Sequence, residues 1–225
     1  MNSTSSQIKP ARRWVTWLAL GSLALALTGY WAPWLTHPTA ALRLSGFDLA
    51  EWVMFLPGVL DGSLPLSRLD FLLPLAGLAV ALSLAAAHTR PSTGGWRRGG
   101  WRILPGGALW ALALVCAALV LPPYEILRDR AYWPEFQTQF IVAGATFLGV
   151  LACQLLPRQV IALVQIAAAL VGGYYGAWAL WTLRPAANEV LNALWAVGLG
   201  WGVMLAGWVG LAVTGGIELF FSFRR

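Results

Sequence analysis

From Thr138 to Leu183 the chain carries a single charged side chain, Arg158. A crossing of the bilayer hydrocarbon takes about 20 apolar residues as a helix, so this run holds two crossings. Helices suit that solvent because they satisfy their own backbone hydrogen bonds. The break falls at Leu156-Pro157-Arg158-Gln159, where proline fits the first turn of a new helix and arginine fits the interface. Spans 138–156 and 159–183 are therefore expected as antiparallel neighbours.

Comparable runs recur along the chain. Residues 14–34 are uncharged and end in Tyr30-Trp31-Ala32-Pro33-Trp34, which suggests an interfacial aromatic belt. A signal peptide also starts with a basic segment and an apolar core. Here the core is long and Pro38-Thr39-Ala40 is a poor cleavage site, so a retained span is the better reading. Residues 69–87, 104–121 and 190–213 complete the set. The predicted fold is all-α: a polytopic transmembrane helix bundle of about six spans, with residues 1–225 forming one integral membrane domain. With 59% hydrophobic and 11% charged residues, the chain is far from the roughly 25% charge of soluble domains.

The connection between spans one and two has its own pattern. Asp48 and Glu51 suit a capping box, and Leu49, Trp52, Val53 and Leu56 fall on one helical face before Pro57-Gly58. This predicts a short amphipathic helix at the membrane interface, with Asp48 as its cap. One helical turn is expected over residues 125–129. Asn188 is a candidate cap for span six, and Thr214-Gly215-Gly216 a candidate break at its end.

Charge distribution sets the expected orientation. With the N-terminus inside, Lys9, Arg12, Arg13, Arg90, Arg97, Arg98, Arg102, Arg158, Arg224 and Arg225 fall inside, and Arg43, Arg68, Arg128, Arg130 and Arg184 fall outside. Ten against five matches the positive-inside rule. The expected location is a cell membrane, of bacterial inner-membrane type, with both termini cytoplasmic. The basic residues Arg90, Arg97, Arg98 and Arg102 make the loop 88–103 a candidate dock for anionic headgroups or a cytoplasmic partner. The net charge of +6 is spread over short connections, so nucleic acid is not an expected partner.

Inside hydrocarbon, helices associate through close backbone packing, which small residues four apart permit. Gly198, Gly202, Ala206 and Gly210 make such a ridge on span six. Gly172 and Gly176 make another on span five, beside Gly173. The expected use is packing of spans five and six; contact with a second membrane subunit is the alternative. Trp201 and Trp208 lie seven apart on span six and are read as packing or lipid contacts. Gln154 and Gln165 are read as interhelical hydrogen-bonding groups, and Tyr174, Tyr175 and Trp178 are candidates to border a cavity.

Catalytic and cofactor signatures are absent from the sequence. It has no Gly-x-Ser-x-Gly, His-Glu-x-x-His or phosphate-binding loop. His37 and His88 fall at opposite ends of spans, too far apart for one haem. Cys116 and Cys153 lie in apolar runs and suit small buried side chains. Glu218 is expected to pair with Arg224 and Arg225. No catalytic residue, metal site or cofactor is therefore expected. The leading expectation is a non-catalytic membrane component, a permease-like or substrate-capturing transport subunit for an apolar or weakly polar solute. An accessory subunit of a larger membrane complex is the alternative. An outer-interface enzyme, resting on Asp48, Glu51, Asp61 and Asp70, comes third.

Overall fold

The computed structural model describes residues 8–38, 41–88, 100–128, 131, 133–190 and 192–223, with the side chains of residues 8–13, 100–105, 125, 127 and 158 left out. Arg90, Arg97 and Arg98 lie outside the described residues, and so does the side chain of Arg102.

The chain is mostly helical. Among the described residues four helices are long and apolar enough to cross a membrane: α1 (Ile8–Trp31), α4 (Arg68–His88), α8 (Arg158–Val190) and α9 (Leu199–Phe223). Two more apolar helices, α5 (Gly100–Leu119) and α7 (Gln137–Ala152), are shorter over their described apolar parts. The short helices α2 (Gly46–Trp52) and α3 (Pro57–Leu60) join α1 to α4 through a 3-10 turn, and α6 (Tyr124–Arg128) lies between α5 and α7.

α4 forms the centre of the bundle. It packs against α5, α7 and α8, and more lightly against α1 and α2, while α9 packs against α1 and α8. Most of the α4 span is buried, against about a third of each other long span. Its composition allows this, since a helix that is apolar all round can be enclosed on every side. Pro74 sits in its second turn, where it has no N–H to give the Asp70 carbonyl.

Polar side chains stitch α4 to its neighbours. The Ser83 hydroxyl donates to the Val150 carbonyl at 2.6 Å, and the Gln154 amide donates back to the Ser83 carbonyl at 3.0 Å. Gln139 ties α7 to the end of α5 by donating to the Val120 carbonyl at 2.8 Å. Each bond satisfies a polar group where water is scarce.

One end of the bundle is closed by a three-stranded antiparallel sheet, in the order β2 (Arg43–Leu44), β1 (Leu35–Thr36), β3 (Ala196–Val197). Leu35 pairs with both Leu44 and Val197. The Trp34 carbonyl accepts from Gly198 N at 2.8 Å and the Pro33 carbonyl from Gly200 N at 3.0 Å, so the exit of α1 is bonded to the entry of α9. Tyr30 and Trp34, expected in an interfacial belt, are instead fully buried here. The Tyr30 hydroxyl donates to the Phe71 carbonyl, and the Trp34 indole to the Gly29 carbonyl.

Several local expectations are corrected. Ser45, not Asp48, caps α2; Asp48 is its third residue and returns the bond, accepting from Ser45 N at 2.9 Å. The predicted helix through Leu56 is α-helical only to Trp52 and tightens to a 3-10 turn at Val53–Phe55, while Pro57, expected to end it, stands at the start of α3. α8 does not stop near Leu183 but continues through Pro185 to Val190. Residues 192–198, expected within the start of span six, form a turn and strand, and α9 begins at Leu199. Asn188 accepts from Trp195 N at 2.8 Å instead of capping α9. Thr214-Gly215-Gly216 stays helical within α9.

Candidate functional site

The tightest backbone approach is between α1 and α9. A Cβ on Gly207 would come within 2.6 Å of the Ser22 carbonyl oxygen and 2.7 Å of Ala26 Cα. One on Gly29 would come within 2.6 Å of Met204 Cα, and one on Gly200 within 2.5 Å of the Ala32 carbonyl. Ser22, Ala26 and Gly29 on α1 thus face Gly200, Met204 and Gly207 on α9. Sequence reading missed this seam. Its signal was the small residues Ser22 and Ala26, four apart on α1, with Gly29 three further on.

The predicted small-residue ridges are divided between different neighbours. Gly172 and Gly176 face α9: a Cβ at Gly172 would strike the Trp208 indole, and one at Gly176 the Met204 methyl. Trp208 is wedged between Gly172 of α8 and Gly77 of α4, which explains why those positions carry no side chain. Trp201, in turn, donates its indole N–H to the Gly176 carbonyl at 3.0 Å. Gly210 faces Ser22 and Gly198 faces Pro33, both on the α1 side. Gly202 faces open space and Ala206 is exposed, so these two do not join α9 to α8 within this chain. Gly202, Ala206, Val209, Val213 and Gly216 form one outward stripe on α9.

Tyr174, Tyr175 and Trp178 stack edge to face along α8, with ring centres 5.3 and 6.2 Å apart. Tyr174 is 63% exposed, and none of the three lines the crevice described next.

That crevice lies among α1, α4, α8 and α9, at the end of the bundle opposite the sheet. Its walls are Ala19, Leu20, Leu23, Ala81, Ala85 and Leu211, and its polar groups are Thr16, His88, Gln165 and Glu218. Its volume is about 20 Å³, room for one water. Gln165 is buried and donates to the Leu211 carbonyl at 2.9 Å and to the Thr214 hydroxyl at 3.0 Å. Nε2 of His88 stands 3.2 Å from Oε2 of Glu218, joining the last residue of α4 to the last turns of α9. Arg224 and Arg225, the expected partners of Glu218, lie outside the described residues.

The acids of the sheet end do not converge on one pocket; each has a local role. Asp48 closes the capping box, Asp70 accepts from Ser67 N at 2.7 Å, and Asp61 accepts from Ser63 N at 2.9 Å. The Ser63 hydroxyl and amide hold the Asp61 carboxyl below the usual carboxylate range. Glu51 instead pairs with Arg68, whose side chain is only 6% exposed and also donates to the Leu121 carbonyl at 3.3 Å. His37 packs edge-on against Trp195, with centres 5.1 Å apart, far from His88. Among the described residues no three His, Cys, Asp or Glu side chains gather where they could hold a metal. Comparison of the chain with protein-family models, with curated proteins and with solved structures finds no match.

Proposed function

We propose that this chain is a non-catalytic integral membrane component that works as an accessory subunit of a larger membrane assembly, docked through the outward stripe of α9. In this reading all six apolar helices cross the bilayer, the termini and the crevice end face the cytoplasm, and the sheet end faces out. The observation that carries it is the division of the small residues. Gly200, Gly207 and Gly210 meet α1 and Gly172 meets Trp208, whereas Gly202 faces open space among the described residues and Ala206 is exposed. Small residues on a lipid-facing helix let a second helix approach closely, which is how helices associate where lipid is the solvent.

The test is mild solubilisation followed by native mass spectrometry of wild type and Gly202→Leu. A wild-type assembly with a second membrane protein, lost in the variant while its thermal unfolding stays unchanged, is the expected result. A wild type that is monomeric at every detergent concentration rejects the proposal.

A second reading, a permease-like or solute-capturing subunit for an apolar or weakly polar solute, draws on the crevice. It brings Thr16, Gln165, His88 and Glu218 together between helices that could shift. Small-molecule sites occupy about 300–1,000 Å³, so this reading requires α1 to move away from α4. Solute-dependent protection of a cysteine introduced at Thr16 would favour it over the accessory role.

A further inference from the structure

Three helices give the crevice a regular depth. Each supplies lining residues seven apart: Thr16 and Leu23 on α1, Ala81 and His88 on α4, and Leu211 and Glu218 on α9. Seven residues are two helical turns, about 10 Å. α1 ends at the sheet, where α9 begins, and the Tyr30–Phe71 bond sets the start of α4 beside that end. Thr16, His88 and Glu218 therefore stand at the mouth, and Leu23, Ala81 and Leu211 at the floor. One turn beyond the floor the Trp208 indole lies against Gly77 and Gly172 and closes the gap between α4 and α8.

Between mouth and floor the polar group is Gln165, which enters from α8 at the level of Leu211 and Thr214. Its partners fix the orientation of its amide. The Leu211 carbonyl only accepts, so Nε2 faces it, at 2.9 Å. The Thr214 hydroxyl gives its one hydrogen to the backbone carbonyls of Gly210 and Leu211, at 2.9 and 3.1 Å, so it accepts from Nε2 at 3.0 Å. Both amide hydrogens are taken. Oε1 bonds to none of the described residues, in a side chain that is buried. A buried carbonyl oxygen without a donor is an uncompensated loss of hydration.

We infer that the crevice is a hydrated inlet, two turns deep, in which Oε1 of Gln165 binds one neutral hydrogen-bond donor of the size of water. The inference rests on the crevice invoked in the second reading above, and on no transport through it. The volume of about 20 Å³ holds one such molecule. Charge is selected against at this depth. An anion finds no donor on Gln165, whose amide hydrogens are both engaged. A cation exchanges its hydration shell for one amide oxygen among alanine and leucine side chains. A neutral donor gives up least and supplies what Oε1 lacks.

The experiment uses the full chain in detergent micelles, with carbon-13 in the alanine methyl groups and water as the probe. Nuclear Overhauser contacts from water should reach the methyls of Ala81 and Ala85, which line the crevice, and be absent at Ala79 and Ala113, which are fully buried elsewhere. A dry Ala81, or contacts at Ala79 and Ala113 as strong as at Ala81, would overturn the inlet. Gln165→Leu should remove the Ala81 contact by deleting the acceptor; its persistence would overturn Gln165 as the binding group. That variant also loses two α8–α9 hydrogen bonds, so Ala85→Val serves as the second. It narrows the wall and leaves the Gln165 bonds in place, and it should likewise remove the Ala81 contact; an unchanged contact there would overturn entry through the crevice. Failure of a solute to protect a cysteine at Thr16 rejects the transport reading and leaves this inference standing, whereas a dry Ala81 rejects this inference alone.

Discussion

Gly202 and Gly207 lie on the same helix, five residues apart, and a methyl group added at each meets different surroundings. At Gly207 it meets the α1 backbone around Ser22 and Ala26; at Gly202 it meets nothing. Gly207→Ala should therefore destabilise the bundle by about 1–3 kcal/mol through overpacking, and Gly202→Ala should leave it unchanged. Thermal unfolding in one detergent decides this, and equal melting points would refute the α1–α9 seam. The Arg68–Glu51 pair carries a similar asymmetry. Glu51 is 44% exposed and Arg68 only 6%, so deleting the acid strands a buried cation, whereas deleting the cation leaves an acid that water can reach. Glu51→Leu should accordingly cost more than Arg68→Met, by about 1–3 kcal/mol. At Asp61 the carboxyl is held low by Ser63. Its contribution to the turn is present above the ordinary carboxylate range and lost as pH falls. Ser63→Ala should move the Asp61 titration, read by carbon-13 carboxyl shifts, back toward the ordinary value.

Among the elements, the connection between α1 and α4 relies on capping. Ser45 and Asp48 satisfy each other's backbone N–H groups, and Ser45→Ala should cost about 1 kcal/mol. The loss should appear first as faster amide exchange across α2, with the long helices unaffected. Polar residues and prolines in the sequence marked most element positions. A polar or proline-containing break separates α1 from α4, α5 from α7 and α7 from α8, because backbone that leaves a helix must find other hydrogen-bonding partners, in water or in turns. Where the boundaries shifted, tertiary contacts overrode local signals. α8 runs past Arg184 and Pro185 because Arg184 bonds to the Trp195 carbonyl and Asn188 to Trp195 N. Neither partner could be identified from its position along the chain.

At the scale of the molecule, the enclosed helix is α4, and the first and last long helices meet side by side. Periodicity could not reveal this arrangement. Every long helix is apolar, so no polar stripe marks which one is surrounded, and hydropathy reports contact with lipid and contact with protein alike. The sheet that bonds β1 to β3 joins the exits and entries of α1 and α9 across most of the chain's length. This predicts that α1 and α9 unfold as one unit: a cysteine replacing the buried Leu23 and one replacing the buried Met204 should react with a thiol reagent at the same denaturant concentration.

Composition and the spacing of charges were enough to determine the helical class of this protein, the presence of helices long and apolar enough to cross a membrane, and the approximate limits of most of them. Those properties follow from the cost of exposing backbone and charge to hydrocarbon, a cost each segment bears independently of its neighbours. Only the tertiary structure decided which small residues face a partner helix, that Tyr30 and Trp34 are core and not belt, and that Glu218 reaches His88. These depend on the rotation and pairing of helices, where contacts between distant segments compete at nearly equal energy and local sequence carries no preference.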